Sequence, residues 1–187
     1  MCIISKSECD NIRFQHLSYL KSLSSCARNM VYGSLNGKFD IHQRRLGTDK
    51  LAPVVAALEQ LLDNIEQFNF GCFEDVYREV RSLVVAKGCW KNPLLLTYDI
   101  SLRLAYRLDP VDLTIMPNEY LYLHAAPYAS AKLIARKVGD KRKIKDGRVD
   151  ANYVDSVFGC GQCDAAQKEH VLCIKHELIA AIYGRKE

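Results

Sequence analysis

Asp99 and His124 are the residues of this chain whose chemistry could carry a reaction. A carboxylate can stabilise a developing positive charge, and a neutral imidazole can act as a general base once a carboxylate or a tyrosine fixes its tautomer. Arg103 follows Asp99 by four residues, the spacing of an ion pair on an exposed helix face. His124 stands between Leu123 and Ala125, as a histidine at the edge of a core would. The sequence favours structural roles for both and leaves an enzyme as the alternative.

A second set of residues could hold a metal ion: Cys160, Cys163, Cys173 and His176, with His170 as a spare ligand. A Cys-x2-Cys turn flanked by glycines supplies two thiolates for a tetrahedral zinc ion. A cysteine and a histidine three residues apart share one helix face and could supply the rest. The spacing between the two halves is shorter than in the usual zinc fingers. We therefore predict buried thiols and no cofactor, with a structural zinc ion as the alternative.

The strongest charge signal is the basic segment, residues 132–148. It holds eight Lys or Arg and two Asp, a local charge of +6 in a chain whose formal charge is +4. Such a segment on a nearly neutral body predicts contact with nucleic acid or another polyanion. A solvated loop is the alternative. The predicted contacts in this segment are Arg136, Lys137, Lys141, Arg142, Lys143 and Lys145.

Another candidate contact lies at the turn between two predicted helices. Gly88 suits the left-handed end of the first helix, and Asn92-Pro93 is typical of the start of the second. Backbone N–H groups at such a helix start can hold a DNA phosphate without reading sequence. Lys87, Lys91 and Asn92 are the predicted contacts here. A two-helix corner with a polar turn is the alternative.

The order of motifs between residues 37 and 175 resembles a group of uncharacterised bacterial proteins. Those proteins carry a glycine-rich helix–hairpin–helix turn, then a Tyr-Asp helix and a Tyr-Leu-His segment. In this chain Gly88 is followed by Lys91-Asn92-Pro93, so one glycine of the group's Gly-x-Gly turn is replaced. The residues that carry the likeness are Gly37-Lys38, 42–46, Gly88, Tyr98-Asp99, Tyr122-Leu123-His124 and Leu172-Cys173-Ile174. The resemblance implies a helix–hairpin–helix-like corner and assigns no activity.

The helix after this turn adds a second likeness. Residues 99–108 are similar to the helix that follows the hairpin in helix–hairpin–helix DNA glycosylases. In those enzymes an aspartate stabilises positive charge on the sugar or activates a nucleophile. The likeness implies, as the enzyme alternative, a nucleic-acid-processing enzyme that uses Asp99 and His124.

Apolar periodicity predicts the helices that would position all these residues. Tyr120 to Leu123 is compatible with either a helix or a strand. The predicted helices are Ser7 to Met30, a second from Thr48 or Asp49 to Gly71, Phe73 to Val85, Pro93 to Leu108, Pro127 to Val138, and a last one capped by Asp164 with Gln167. We predict an all-α fold in one compact domain, residues 1–187, built around a degenerate helix–hairpin–helix-like corner.

Length and composition limit the class of protein further. The chain has 187 residues, 49% of them hydrophobic, which is enough for one core. No apolar run is long enough to span a membrane, and the N-terminal stretch lacks a signal pattern. We therefore predict a cytoplasmic protein that does not contact membranes. Its eight cysteines are then expected as reduced thiols.

The motifs of several large enzyme classes are missing from the sequence. It contains no phosphate-binding Walker loop, no dinucleotide fingerprint, no Gly-x-Ser-x-Gly elbow and no His-Glu-x-x-His pair. The predicted function is a non-catalytic protein that contacts nucleic acid through the hairpin turn and the basic segment. A protein-interaction module, such as an inhibitor from a mobile element, is the alternative outside the enzymes.

Overall fold

The computed structural model describes residues 3–35, 43–44, 46–88, 93–140, 142, 144–155 and 163–184. Within these ranges the protein is mainly α-helical, with one two-stranded sheet, and the predicted all-α fold class is confirmed. No helix in these ranges has the length and apolar character needed to cross a membrane. The helices are α1 (Lys6–Leu23), α2 (Ala27–Tyr32), α3 (Thr48–Asp63), α4 (Phe73–Ala86), α5 (Pro93–Leu108), α6 (Ala125–Val138), α7 (Ala165–Ile174) and α8 (His176–Tyr183).

The chain forms two compact units. The terminal unit combines Met1–His16 with Pro117–Glu187, and the central unit is Leu17–Met116. Helix α1 contributes its first part to the terminal unit and its last part to the central unit. That the two units fold as the one domain expected from the sequence stays a prediction.

Helix α5 is the centre of the central unit. It packs against α4 and α2, and its side chains are buried on almost every side. Burial includes three polar residues, Thr97, Ser101 and Arg103, as well as the apolar ones. Because buried polar groups need hydrogen-bond partners, hydrogen bonds as well as apolar contacts hold this helix in the unit. The apolar core around it includes Met30, Val54, Leu58, Val80, Val84, Leu96, Ile100 and Leu104.

In the terminal unit α6, α7 and α8 pack against one another, and α7 also packs against a short two-stranded sheet. Strands β1 (Tyr120–Tyr122) and β2 (Arg148–Asp150) are antiparallel, with Leu121 opposite Val149 and Tyr122 opposite Arg148. The segment that the sequence left open between helix and strand is therefore a strand. The core of this unit includes Ile3, Ile4, Leu121, Leu123, Ile134, Val149, Val154, Val171, Leu172 and Ile179.

The predicted first helix, Ser7 to Met30, is wrong in two respects. Its N-cap is Ser5, whose Oγ accepts from Glu8 N at 3.2 Å while Ser5 N donates to Glu8 Oε2 at 2.9 Å. The helix also ends at Leu23, and α2 begins only at Ala27. Ser24 Oγ donates to Leu20 O at 2.7 Å at this break. Serine hydroxyls compete for backbone groups in this way, which favours helix ends over helix interiors.

The other boundaries follow the sequence more closely. Helices α4 and α5 lie within a residue of their predicted ends, and Gly88 has the expected left-handed conformation, with φ of 74°. The helix predicted to reach Gly71 ends at Asp63, before a 3₁₀ turn at Ile65–Gln67. The predicted last helix is divided into α7 and α8 at Lys175. Its predicted start is confirmed by a capping box, in which Asp164 and Gln167 each accept from the other's backbone N–H at 2.8 Å.

The start of α1 provides a pH-dependent prediction. The backbone N–H of Ser5, and after it Lys175, lowers the pKa of Glu8 from 4.5 to about 2. Because the folded-state pKa is depressed, we expect the stability that Glu8 contributes to be complete above pH 4.5 and to be lost as the pH falls towards about 2. A carboxyl-carbon NMR titration should give the low midpoint, and Lys175→Met should raise it. A Glu8 midpoint near 4.5 in the unmodified protein would contradict the capping geometry.

Candidate functional site

Three cations of the basic segment lie over tyrosine rings in the terminal unit. The pairs are Lys132 with Tyr128 at 5.2 Å, Arg142 with Tyr153 at 5.1 Å and Arg148 with Tyr120 at 4.6 Å, each measured from the charged group to the ring centroid. A cation over the face of an aromatic ring is attracted by its quadrupole, by about 0.5–1 kcal/mol at exposed sites. These three side chains are therefore positioned by the fold, and a freely solvated loop is the wrong description for them.

Helix α6 presents Tyr128, Lys132 and Arg136 at intervals of four residues, which brings them to one side of the helix. All three are exposed, Tyr128 by 40%. Ala131 and Ile134, on the other side of the helix, are completely buried. In the part of the chain that the structure describes, no carboxylate lies within 4.0 Å of Lys132 or Arg136. We call these three residues the α6 stripe.

Arg142 is engaged inside the protein. Its guanidinium donates to Asp140 Oδ2 at 2.7 Å and to Asn152 Oδ1 at 2.5 Å, and it lies 3.8 Å from Asp150 Oδ2. The Arg142 guanidinium lowers the pKa of the Asp140 carboxyl. Because this charge is largely compensated, Arg142 is a weaker candidate for phosphate contact than the sequence suggests.

The remaining predicted contacts of the basic segment fall into two groups. Lys137 and Lys145 are exposed, and the backbone of Lys145 pairs with that of Arg148 beside β2. Lys141 and Lys143 lie outside the described residues. The structure thus brings Lys145 and Arg148 together.

The turn between α4 and α5 is described only at its edges. Lys87 is exposed at the end of α4, and Pro93 begins α5. The predicted contacts Lys91 and Asn92 lie outside the described residues. The corner between two packed helices is present, and its helix–hairpin–helix character stays a prediction.

Asp99 belongs to a polar cluster in the central unit. Its Oδ2 accepts a hydrogen bond from Gln43 Nε2 at 2.7 Å and lies 3.7 Å from Arg103 Nη2, which confirms the predicted pairing with Arg103. Arg103 is only 3% exposed and also donates to Met30 O at 2.6 Å and to Tyr19 Oη at 3.0 Å. The pair therefore joins a buried guanidinium to a carboxylate that is 18% exposed, and it differs from the exposed helix pair that the spacing suggested.

In the part of the chain that the structure describes, two buried atoms of the same cluster have no hydrogen bond. They are Gln43 Oε1 and Arg103 Nε. An unsatisfied buried polar group costs about 1–3 kcal/mol, so the guanidinium depends all the more on the partners that it has. The cluster joins three helices, because Tyr19 lies on α1, Met30 on α2 and Asp99 on α5. These contacts crosslink the three helices, which is a structural role.

His124 has a carboxylate partner that the sequence did not suggest. Its Nε2 lies 2.7 Å from Glu169 Oε1 on α7, and the side chains are 9% and 8% exposed. Among the described residues, Glu169 Oε1 accepts no hydrogen bond of good geometry. The expected partners were Asp99 or a tyrosine. Asp99 and His124 belong to different units, and each is paired within its own.

The cysteines depart furthest from expectation. Cys9 and Cys163 form a disulfide, so the prediction that all the cysteines are reduced thiols is wrong for these two. The start of α1 packs beside the start of α7, which brings the two Cα atoms to 6.1 Å despite a separation of 154 residues. The cause is tertiary packing, to which local sequence gives no clue.

The disulfide also changes the candidate zinc set. Cys163 is bonded to Cys9, and His176 Nδ1 lies 2.8 Å from Ser130 Oγ. Cys160 lies outside the described residues, and Cys173 is partly buried on α7. Within the described ranges, no three His, Cys, Asp or Glu side chains come together as they would to hold a metal ion. The zinc alternative therefore loses Cys163 as a ligand.

Comparison with known proteins identifies no relative of this chain. No family model matches it, and neither a curated protein nor a solved structure does. The function must therefore be argued from the chain's own side chains.

Proposed function

We propose that the protein binds nucleic acid and catalyses no reaction on it, with Lys132 and Arg136 as its principal phosphate contacts. The observation that carries this proposal is the α6 stripe, in which two exposed cations without carboxylate partners in the described structure share one helix face. Phosphate contacts supply most of the affinity in sequence-independent binding, and they need only positioned positive charge. Lys145 adds a further exposed cation from the same basic segment.

The contacts of the two candidate catalytic residues support a non-catalytic role. Asp99 is held by Gln43 and Arg103, and His124 faces Glu169. Each of these contacts ties the residue to its own unit, as a structural role requires. A protein partner remains the competing proposal, and salt dependence distinguishes the two. Binding driven by phosphates weakens steeply as salt rises, because each neutralised phosphate releases counterions.

The test removes the two cations of the stripe together. We expect Lys132→Ala with Arg136→Ala to weaken duplex DNA binding roughly tenfold at low salt. It should also make the slope of log affinity against log salt shallower by about 2, since each duplex phosphate contact contributes about 0.9. Fluorescence anisotropy of a labelled duplex between about 50 and 200 mM salt would measure both quantities.

Two further variants make this result interpretable. Lys21→Ala with Arg81→Ala removes the same charge from exposed helix positions in the central unit and should leave the slope unchanged. Arg142→Ala should cost about 0.2–1 kcal/mol of stability, because it breaks an ion pair near the surface, and should change affinity little. If Arg142→Ala weakens binding as much as the stripe variant, the contact lies in the 142–148 loop. Equal slopes for the stripe and control variants would refute the proposed role of α6.

A further inference from the structure

We infer that the nucleic acid this protein prefers is single-stranded, with the ring of Tyr128 stacking on an unpaired base beside the phosphates held by Lys132 and Arg136. This inference rests on the proposed function and names its substrate class. Its basis is the position of one exposed aromatic ring within a cationic stripe.

Tyr128 differs from the other two tyrosines that carry a cation of the basic segment. Tyr153 is only 3% exposed, and Tyr120 is half-buried beside β2, whereas Tyr128 is 40% exposed on a helix surface. At this exposure, part of the Tyr128 ring is open to a ligand. Of these three rings, Tyr128 is the one with a substantial surface open to a base.

The contact with Lys132 orients this ring. The Lys132 ammonium lies 5.2 Å from the ring centroid, and Arg136 follows one helical turn further on. A ring whose orientation is already restricted loses less conformational freedom when a base stacks on it. The stripe thus combines a stacking surface and two cations along about two turns of one rigid helix.

Single strands fit this arrangement better than duplexes for a steric reason. In a duplex the face of each base is covered by its neighbours, so an exposed tyrosine on a helix gains nothing beyond what the phosphates supply. Unpaired bases can leave the stack and lie against aromatic side chains, as they do in proteins that bind single strands with little sequence preference. With one exposed ring in the α6 stripe, we expect a short site that contacts one base by stacking.

The experiment compares three ligands by fluorescence anisotropy: a labelled 12-nucleotide single strand of mixed sequence, the duplex formed with its complement, and labelled polyglutamate. We expect the single strand to bind more tightly than the duplex. Tyr128→Leu keeps an apolar side chain but removes the aromatic face, and it should weaken single-strand binding about tenfold and duplex binding much less. Tyr128→Phe keeps the face and should stay within twofold of the unmodified protein. Thermal unfolding of each variant would show that the fold is retained.

The outcomes distinguish the inference from the proposed function beneath it. Salt-dependent duplex binding as tight as single-strand binding, with Tyr128→Leu acting equally on both, would overturn the inference and leave the proposed function standing. Binding of neither nucleic acid, or tighter binding of polyglutamate than of both, would overturn the proposed function and the inference together. A Tyr128→Phe variant as weak as Tyr128→Leu would show that the hydroxyl, not stacking, makes the contact, and the inference would fail.

Discussion

Loss of the Cys9–Cys163 disulfide is expected to lower the free energy of unfolding by about 2–5 kcal/mol. The bond closes a loop with a sequence separation of 154 residues, and a crosslink restricts the unfolded chain more as the closed loop grows. Both cysteines are buried, so the folded structure shields the bond from reductant. Urea unfolding of the protein with and without a thiol reductant, and of the variant Cys9→Ser with Cys163→Ser, would measure the loss.

Matched cysteines supply the control for this result. Cys26 and Cys72 are exposed and lie outside the disulfide, so Cys26→Ser and Cys72→Ser should each keep the loss of stability on reduction. Reductant should have no effect on the double serine variant. A stability unaffected by reductant in the unmodified protein would mean that the bond does not form in solution. Alkylating free thiols in intact cells would also test the expected cytoplasmic location, because the cytosol keeps most thiols reduced.

Local chemistry explains why much of the fold could be predicted from the sequence. Helix α5 begins at Pro93 and ends before Asp109-Pro110, and α7 begins at the Asp164 and Gln167 capping box. Each of these boundaries is set by residues within a few positions of it, so the sequence displays them directly. Asp99 and Arg103 likewise lie one turn apart on a single helix, and their pairing could be predicted for the same reason.

The missed contacts at the candidate sites depend on residues far apart in the chain. Gln43 reaches Asp99 across 56 residues, and it lies in a stretch without periodicity. Glu169 contacts His124 from α7, a helix that the sequence predicted from its apolar residues. No spacing rule connects such pairs, because tertiary packing decides which side chains meet. The burial of Arg103 was missed for a related reason: a charged residue on a helix is expected at the surface.

Because Arg103 is buried, we expect the second large effect on stability from a substitution at its partner Asp99. Asp99→Asn is expected to lower the free energy of unfolding by about 2–4 kcal/mol, because it leaves the charge of the buried Arg103 guanidinium uncompensated. Within the described structure, Asp99 is the one carboxylate within 4.0 Å of Arg103, whose other partners, Met30 O and Tyr19 Oη, are neutral. Asparagine keeps the size of the side chain and removes its charge, so the change measures the charge itself. Chemical denaturation would give the free energy.

Two variants separate a buried structural pair from a catalytic carboxylate. Asp63→Asn, at an exposed position on α3, should change stability by less than about 0.5 kcal/mol. Arg103→Met added to Asp99→Asn should recover part of the loss, because the unmatched charge is then gone. Nucleic-acid affinity should be the same with and without Asp99→Asn, since the α6 stripe belongs to the other unit. If Asp99→Asn instead left stability unchanged and abolished a base-release or cleavage activity of the unmodified protein, the carboxylate would be catalytic. The protein would then be an enzyme that acts on the nucleic acid it binds.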